Sequence, residues 1–362
     1  MEWIPVILIL PYLFILLKIY GGLLKIVSFH VTSSPKEFVS VVVACRNEEN
    51  NLPELLNHII NQDYPKELFE VIIVDDNSTD KTGRIASGFT GKINLIAINN
   101  KGTGKKNAIK TGIEVSSGNL IITTDADCVM GKGWIRTIAA FHEENRPDMI
   151  ICPVQLEASR GFFTGFQELE FLSLQGISAG TASYRNGTMC NGANLAYSKE
   201  AYWKNAANLH FEIASGDDIF LLQSLKKQDQ SKILWLESPE ATVTAGSCPT
   251  FRSFIKQRKR WISKAKAYND GATSFLGIVT FVTILIQASY MIASPFNISL
   301  FPVLFTVILI KSVPDFLILL NTSSRYGRKV LMNWFLPAQV FYPFYVLCVV
   351  FYTLFSPAMK ES

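Results

Sequence analysis

The sequence predicts an α/β fold with a mostly parallel sheet, flanked by membrane-spanning helices, one before the sheet and about three after it. Three observations predict it. Between Pro35 and about Pro249, short β-branched runs alternate with segments of helical spacing. Four apolar stretches approach or reach the ~20 residues that cross a bilayer core: Trp3 to Leu17 (extended by Leu23 and Leu24), Phe275 to Ala293, Ile298 to Leu320 and Trp334 to Phe355. Acidic clusters follow two of the predicted strands, at Asp75-Asp76 and Asp125-Ala126-Asp127, where open α/β sheets bind their ligands.

Taken in order, the first apolar stretch has no basic residue before it, and Lys18, Lys25 and Lys36 after it. Without a clear small-residue cleavage site it reads as an uncleaved anchor, residues 1–26, rather than a signal peptide. Phe38 to Val43 is the first strand, short and β-branched as a buried parallel strand should be. Asn50 to Asn61 spaces Leu52, Leu55, Leu56, Ile59 and Ile60 as a helix. A strand at Phe69 to Val74, a helix at Lys81 to Ser87 and a strand at Ile93 to Ile98 follow. A helix from about Lys106 to Val115 then leads to the strand Leu120 to Thr124 and Asp125. Ser215 to Asp218 opens a helix running through Leu225, and Gln257, Arg260 and Trp261 share one face of a later helix. The expected domains are an anchor (1–26), an α/β domain (36–250), an interfacial amphipathic helix (251–270) and apolar spans (271–356).

Basic residues place the spans. They follow the first, precede the second (Arg252 to Lys266) and recur at Arg325, Arg328 and Lys329, whereas Ser294 to Asn297 has none. Both termini are then outside and the α/β domain is cytoplasmic, as in a bacterial inner-membrane protein. Lys311 and Asp315 lie at i and i+4 in the third span, which either pairs them inside a bundle or makes that segment partly re-entrant. The formal charge of +4 is modest, and much of the basic excess lies beside the spans, favouring anionic lipid over nucleic acid. Six cysteines without C-x-x-C spacing indicate neither a disulfide framework nor a zinc site, and His58, His142 and His210 form no ligand spacing.

A carboxylate pair at i and i+2 beyond a strand can hold a Mg²⁺-type ion together with substrate phosphates. Gly102 to Asn107 lacks the P-loop spacing, so no Walker-type phosphate loop is present. The motifs Val39 to Glu49 (VSVVVACRNEE), Val74 to Asp80 (VDDNSTD), Asp125-Ala126-Asp127, Gly216-Asp217-Asp218 and Gln257-x-x-Arg260-Trp261 occur in that order. Together, over roughly Phe38 to Trp261, they resemble the membrane-bound family 2 glycosyltransferases of GT-A fold, the group of cellulose, chitin and hyaluronan synthases and ceramide glucosyltransferase.

That resemblance implies an inverting, metal-dependent transfer from an NDP-sugar, of UDP type, to a lipid-linked or glycan acceptor held at the bilayer. Asp75 and Asp76 would contact the nucleoside, with Glu48 and Asp125 also on the donor. Lys105 or Lys106 would lie near its phosphates. Asp125 and Asp127 would hold Mg²⁺ or Mn²⁺, Asp127 the more directly. Gln257, Arg260 and Trp261 would serve the diphosphate and acceptor. Asp217 and Asp218 admit two alignments to the family's Glu-Asp pair. Leu221, three residues after Asp218, favours Asp218 as the base, and Asp217 then departs from the family's Glu.

Each motif also has a plainer reading. Asn77 to Asp80 and Ser215 to Asp218 suit helix N-termini. The Gly102 to Asn107 turn suits solvent, and the loop Cys190 to Asn194, similar to an acceptor-facing loop, suits a structural glycine turn. The basic helix suits a lipid surface, with its cations facing anionic headgroups. A processive polysaccharide synthase is the alternative function, although four spans make a small bundle for polymer export. A nucleotidyltransferase is disfavoured because Ala44 to Glu49 is not a glycine-rich loop. A transporter would have only Lys311 and Asp315 in its spans, and an inactive scaffold would not need all the acids. The basic-loop asymmetry predicts that a cysteine label at Ser294 reacts from outside the membrane and one at Ser323 does not; the reverse pattern overturns the orientation.

Overall fold

A computed structural model of the chain describes residues 3–91, 93–158, 160–213, 215–228 and 230–355. In chain order, α1 (Ile4–Leu23) precedes β1 (Val39–Cys45), α2 (Leu52–Ile60), β2 (Phe69–Asp75), α3 (Thr82–Gly88), β3 (Leu95–Asn99), α4 (Lys105–Val115) and β4 (Leu120–Asp125). Next come β5 (Val129–Met130), α5 (Trp134–Asn145), β6 (Met149–Ile151), β7 (Val154–Leu156) and α6 (Phe162–Ala182). Then follow β8 (Asn194–Ser198), α7 (Lys199–Asn205), α8 (Asp217–Lys226), β9 (Ile233–Trp235) and β10 (Val243–Ala245). The last four helices are α9 (Phe251–Ser263), α10 (Gly271–Ala293), α11 (Phe301–Arg325) and α12 (Phe335–Phe355). Two compact units form: Ile26–Glu157 with Met189–Gly246, and Met1–Lys25 with Ala158–Thr188 and Ser247–Ser362.

The α/β unit is built on a sheet of order β3-β2-β1-β4-β8-β6-β9. β3, β2, β1 and β4 are parallel, whereas β8 runs antiparallel to both β4 and β6. β1 is central, and Val39, Val41, Val42 and Val43 are fully buried, as the β-branched run requires when helices cover both faces. Register decides where the acids go. Cys45 pairs with Asp75 on one side of β1 and Ala44 with Asp125 on the other, so both carboxylates leave the same edge of the sheet. Two strand spacings put their backbones about 10 Å apart. A smaller sheet of order β5-β10-β7 continues from the strand after Asp127.

The second unit holds the four helices that, among the described residues, are long and apolar enough to cross a membrane, in the segments Ile4–Leu23, Gly271–Ala293, Ile298–Arg325 and Lys329–Phe355. It also holds α6, which the sequence boundaries would give to the α/β domain. α6 belongs here because its small residues let backbones meet. A Cβ on Gly180 would lie 2.4 Å from the Ile19 carbonyl oxygen, and one on Gly22 would lie 2.2 Å from that of Gly180. α11 is continuous, and Lys311 and Asp315 pair inside the bundle at 2.7 Å. Gln339 accepts from Lys311 at 2.8 Å, and the Tyr12 hydroxyl donates to Asp315 at 2.6 Å, so each member of the ionic pair has a further hydrogen-bond partner. All six cysteines are free thiols.

α9 is amphipathic, with a capping box in which Thr250 and Ser253 bond each other's backbone N–H. Its cations do not all face outward, as a lipid-surface helix would have them. Arg258 is only 5 % exposed and Lys259 is equally buried. For Arg258 the reason is Glu170 on α6, whose two oxygens take the Arg258 Nε and Nη2 at 2.9 and 2.5 Å, with the Tyr345 hydroxyl donating a third bond to Glu170 at 3.2 Å.

Breaking a buried pair from one side strands the other charge. Glu170→Ala should therefore cost about 3–5 kcal/mol, read as a lower unfolding midpoint of the detergent-solubilised protein; an unchanged midpoint would remove the pair from the account of stability. For topology labelling, Ser294 and Ser323 prove to be buried. Asn297 and Ser324 beside them are exposed and take the label instead.

Candidate active site

The loops after β1 and β2 are fastened to each other. Asn47 donates its N–H to Ser78 Oγ at 2.9 Å and accepts the Thr79 N–H on Oδ1 at 2.8 Å. Asn47 and Asn77 both have left-handed backbones, φ 56° and 58°, which asparagine tolerates better than most residues. Ser78 and Thr79 thus tie loops together rather than cap α3. Asp80, two residues before α3 begins, accepts the Thr82 N–H at 2.9 Å and the Thr82 hydroxyl at 2.6 Å.

Asp75 and Asp76 divide their work. Asp75 accepts the Ser78 N–H at 2.9 Å and remains partly exposed. Asp76 is 5 % exposed, and both of its oxygens accept the Gly104 N–H at 2.9 Å, while Asn100 Nδ2 donates to Oδ1 at 2.7 Å. Asp76 therefore sets the turn that starts α4. Gly104 occupies φ 85°, a conformation that would strain any side chain, and Lys105 is the next residue.

Lys105 and Lys106 part company at once, because adjacent helical residues point about 100° apart. Lys106 is buried, donating to the carbonyls of Leu209 and His210 at 2.9 and 2.7 Å with its ammonium 4.4 Å from the centre of the Phe220 ring. It ties the start of α4 to the segment that enters α8. Lys105 turns to the carboxylates. Its ammonium forms a short ion pair with Asp125, and its side chain is 35 % exposed. Burial pushes that ammonium down, but Asp125, Asp217 and Asp218 outweigh it and leave it well above the usual lysine range.

Asp217 and Asp218 form the first turn of α8, where a helix N-terminus favours negative charge. Asp218 accepts the Ile219 N–H on Oδ1 at 2.7 Å and the Gly192 N–H on Oδ2 at 3.0 Å, so two backbone donors fix its plane. A Cβ on Gly192 would lie 3.6 Å from Asp217 Oδ2, from Asp218 Oδ2 and from Lys105 Nζ. Residues from α4, β4, the loop before β8, and α8 therefore converge. Asn194 anchors the loop that carries Gly192. It is fully buried, accepts the Trp134 indole N–H at 2.9 Å, and donates to the carbonyls of Pro153 and Ala241 at 2.7 and 2.8 Å.

Asp127 lies just beyond β4. Burial, then the charge of Asp125, raises its carboxyl above the usual range. Glu48 is raised as well, first by burial and then by Asp127 and Asp125, against a hydrogen bond from Asn51. Among the described residues, no three or more His, Cys, Asp or Glu side chains gather closely enough to hold a metal ion by themselves. Two carboxylates completed by waters and phosphate oxygens nonetheless suit a Mg²⁺-type ion. Burial and the neighbouring Asp125 charge both disfavour the Asp127 carboxylate, and a cation between the pair would offset both, so Asp125 and Asp127 fit such an ion.

The remaining predicted residues lie in the helical unit. On α9, Arg260 is exposed and Gln257 and Trp261 are half-buried. Arg258, which the motif leaves unassigned, bonds Gln257 and lies 4.1 Å from the centre of the Trp261 ring. Sequence reasoning missed it, together with its partner Glu170, because α6 was not foreseen. It also missed the Gly192 N–H, a backbone group that no side-chain pattern reports.

Residues 40–205 match the family profile described as Glycosyl transferase family 2. The chain is 33% identical over 126 residues to the poly(ribitol-phosphate) beta-N-acetylglucosaminyltransferase TarS of Staphylococcus aureus, covering 34% of this chain and 22% of the relative. It is 28% identical over 138 residues to a beta-monoglucosyldiacylglycerol synthase of Nostoc sp., covering 37% of this chain and 30% of the relative. The aligned stretch is thus less than a third of either relative's length. Among solved structures, the mannosyltransferase PcManGT of Pyrobaculum calidifontis, in complex with GDP-Man and Mn²⁺, superposes with a TM-score of 0.56 at 16% identity, covering 98% of this chain and 97% of that one. That likeness is one of fold. Residues 40–205 are a glycosyl transferase family 2 domain of GT-A fold.

Proposed function

We propose that the protein transfers a sugar from a nucleotide-diphosphate donor to a hydroxyl acceptor, lipid-linked or glycan, held at a membrane, with inversion at the anomeric carbon. The observation that carries this reading is the convergence of Asp125, Asp217 and Asp218 on one ammonium beyond the carboxyl end of β4, within a glycosyl transferase family 2 domain. UDP is the nucleotide that the motif resemblance favours. The glycolipid product named for the Nostoc relative, and four helices able to cross a membrane, support a lipid acceptor. The basic-loop asymmetry supports a cytoplasmic α/β unit and, with it, the use of cytoplasmic donor.

The chemistry follows from the carboxylates. The acceptor hydroxyl oxygen attacks the anomeric carbon, the bond from that carbon to the diphosphate oxygen breaks, and the hydroxyl proton passes to Asp218. Asp218 can accept it because a carboxylate offers about four lone-pair sites and its two backbone bonds use only part of them. Asp125 and Asp127 would hold Mg²⁺ or Mn²⁺, which supplies charge neutralisation for the departing diphosphate. Asp75, with its partly exposed carboxylate, contacts the nucleoside. Asp76 shapes the same subsite by holding Gly104, and Glu48 borders the metal pair. The roles of Gln257, Arg260 and Trp261 at the diphosphate and acceptor rest on the motif resemblance.

Two experiments test the reading. Chelation, or Asp127→Asn, should abolish transfer from an NDP-sugar panel; undiminished transfer in excess EDTA would sink the metal assignment. Asp218→Asn keeps the shape but cannot take a proton, so transfer should fall by about 10²–10⁴ while donor binding persists. Asp217→Asn should be milder. An inactive Asp217→Asn beside a normally active Asp218→Asn would transfer the role of base to Asp217.

A further inference from the structure

We propose that Lys105 is a resident counter-cation that closes the divalent-ion site until a nucleotide diphosphate draws it away, so that nucleotide and metal bind cooperatively. The inference rests on the functional reading above, in taking Asp125 as a metal ligand. Its basis is geometric. Lys105 forms a short ion pair with Asp125, one of the two acids that the functional reading takes as metal ligands. Gly192 brings the same ammonium beside Asp217 and Asp218, each charged atom 3.6 Å from the one Cβ position. Three carboxylates and one ammonium leave negative charge in excess, and the ammonium engages an Asp125 oxygen that a bound metal would need.

A divalent ion arriving alone must displace Lys105 from Asp125 and then remain beside it, two cations in one small space. A diphosphate changes that balance, because its oxygens accept both the lysine and the metal. Only the side chain has to move. The backbone of α4 is pinned on one side by Asp76 on the Gly104 N–H and on the other by Lys106 on the carbonyls of Leu209 and His210. The four-carbon lysine stem supplies the reach, with its ammonium as a point charge that can exchange one set of oxygens for another. Linkage is reciprocal, so whatever nucleotide does for metal affinity, metal must do for nucleotide affinity.

The test is Mn²⁺ binding to the full-length protein in detergent, followed by the electron paramagnetic resonance of free Mn²⁺, with and without UDP and corrected for the Mn²⁺–UDP complex in buffer. In the native protein, UDP should tighten Mn²⁺ binding by about 5–150-fold, the usual range of site–site coupling. Lys105→Met keeps the length and removes the charge, so Mn²⁺ alone should bind about tenfold tighter or more, at the lower part of that same range, and the effect of UDP should shrink. Lys105→Arg keeps the charge and should behave as the native protein, which separates loss of charge from a disturbed fold. If Lys105→Met binds Mn²⁺ as the native protein does while Asp125→Asn binds none, the metal site stands and the counter-cation is overturned. If no variant binds Mn²⁺ even with UDP, the metal reading falls and the counter-cation falls with it.

Discussion

The register of β1 against its two neighbours is the constraint on which the site depends. Cys45 opposite Asp75 and Ala44 opposite Asp125 bring two acids, fifty residues apart in numbering, to one sheet edge. A slip of a single residue in either pairing would exchange the faces of every side chain on the slipped strand and carry its acid out of line with the other. Pairing on both sides of β1 therefore does more than complete a sheet. It sets the register in which Asp75, Asp125 and the start of α4 are neighbours. Everything added later in the chain, the Gly192 loop and the first turn of α8 included, is placed against an edge that four parallel strands have already set.

The two units handle charge in opposite ways. In the helical unit, Arg258 and Lys311 are buried and bonded to carboxylates and an amide, with tyrosine hydroxyls bonded to the same acids. Such pairs exchange hydration for fixed geometry, and their net worth is a defined arrangement of helices more than added stability. In the α/β unit the Lys105–Asp125 pair is about a third exposed, and the acids around it outnumber the cation. A closed pair resists change, whereas an exposed one with surplus charge can be rearranged by a ligand. The contrast separates scaffold from site without reference to any motif.

The elements from Val39 to Asp125 were legible because alternation between β-branched runs and helical spacing is a strong local signal, and every boundary fell within two residues of expectation. The strand-end acids were legible for the same reason. α6 was not, since Phe162 to Ala182 carries apolar and small residues all round and several buried polar ones, so it shows no single face. Its absence from the prediction hid Glu170, and with it the reason Arg258 is buried. The division of labour between Lys105 and Lys106 was equally hidden, because it depends on where the α4 turn begins, and Asp76 sets that from twenty-eight residues away. Local patterns reveal elements and edges; which neighbouring side chain points inward is decided by contacts distant in sequence.

The position of α6 in the chain has a consequence for synthesis. The polypeptide leaves the α/β unit after β7, forms a helix that belongs with the apolar bundle, and only then supplies β8, the strand that joins β4 to β6. A ribosome therefore emits half of a sheet, then a segment destined for another unit, before it emits the strand that bridges the sheet's two halves. Until β8 arrives, β4 and β6 have no partner between them, and β4 presents an open edge of buried, apolar character. Open apolar edges are adhesive, and closure over so long a loop is slow. The nascent protein must pass through a stage in which its α/β unit is incomplete while its first apolar helix has already been made, so formation of that helix and completion of the sheet are ordered events rather than independent ones.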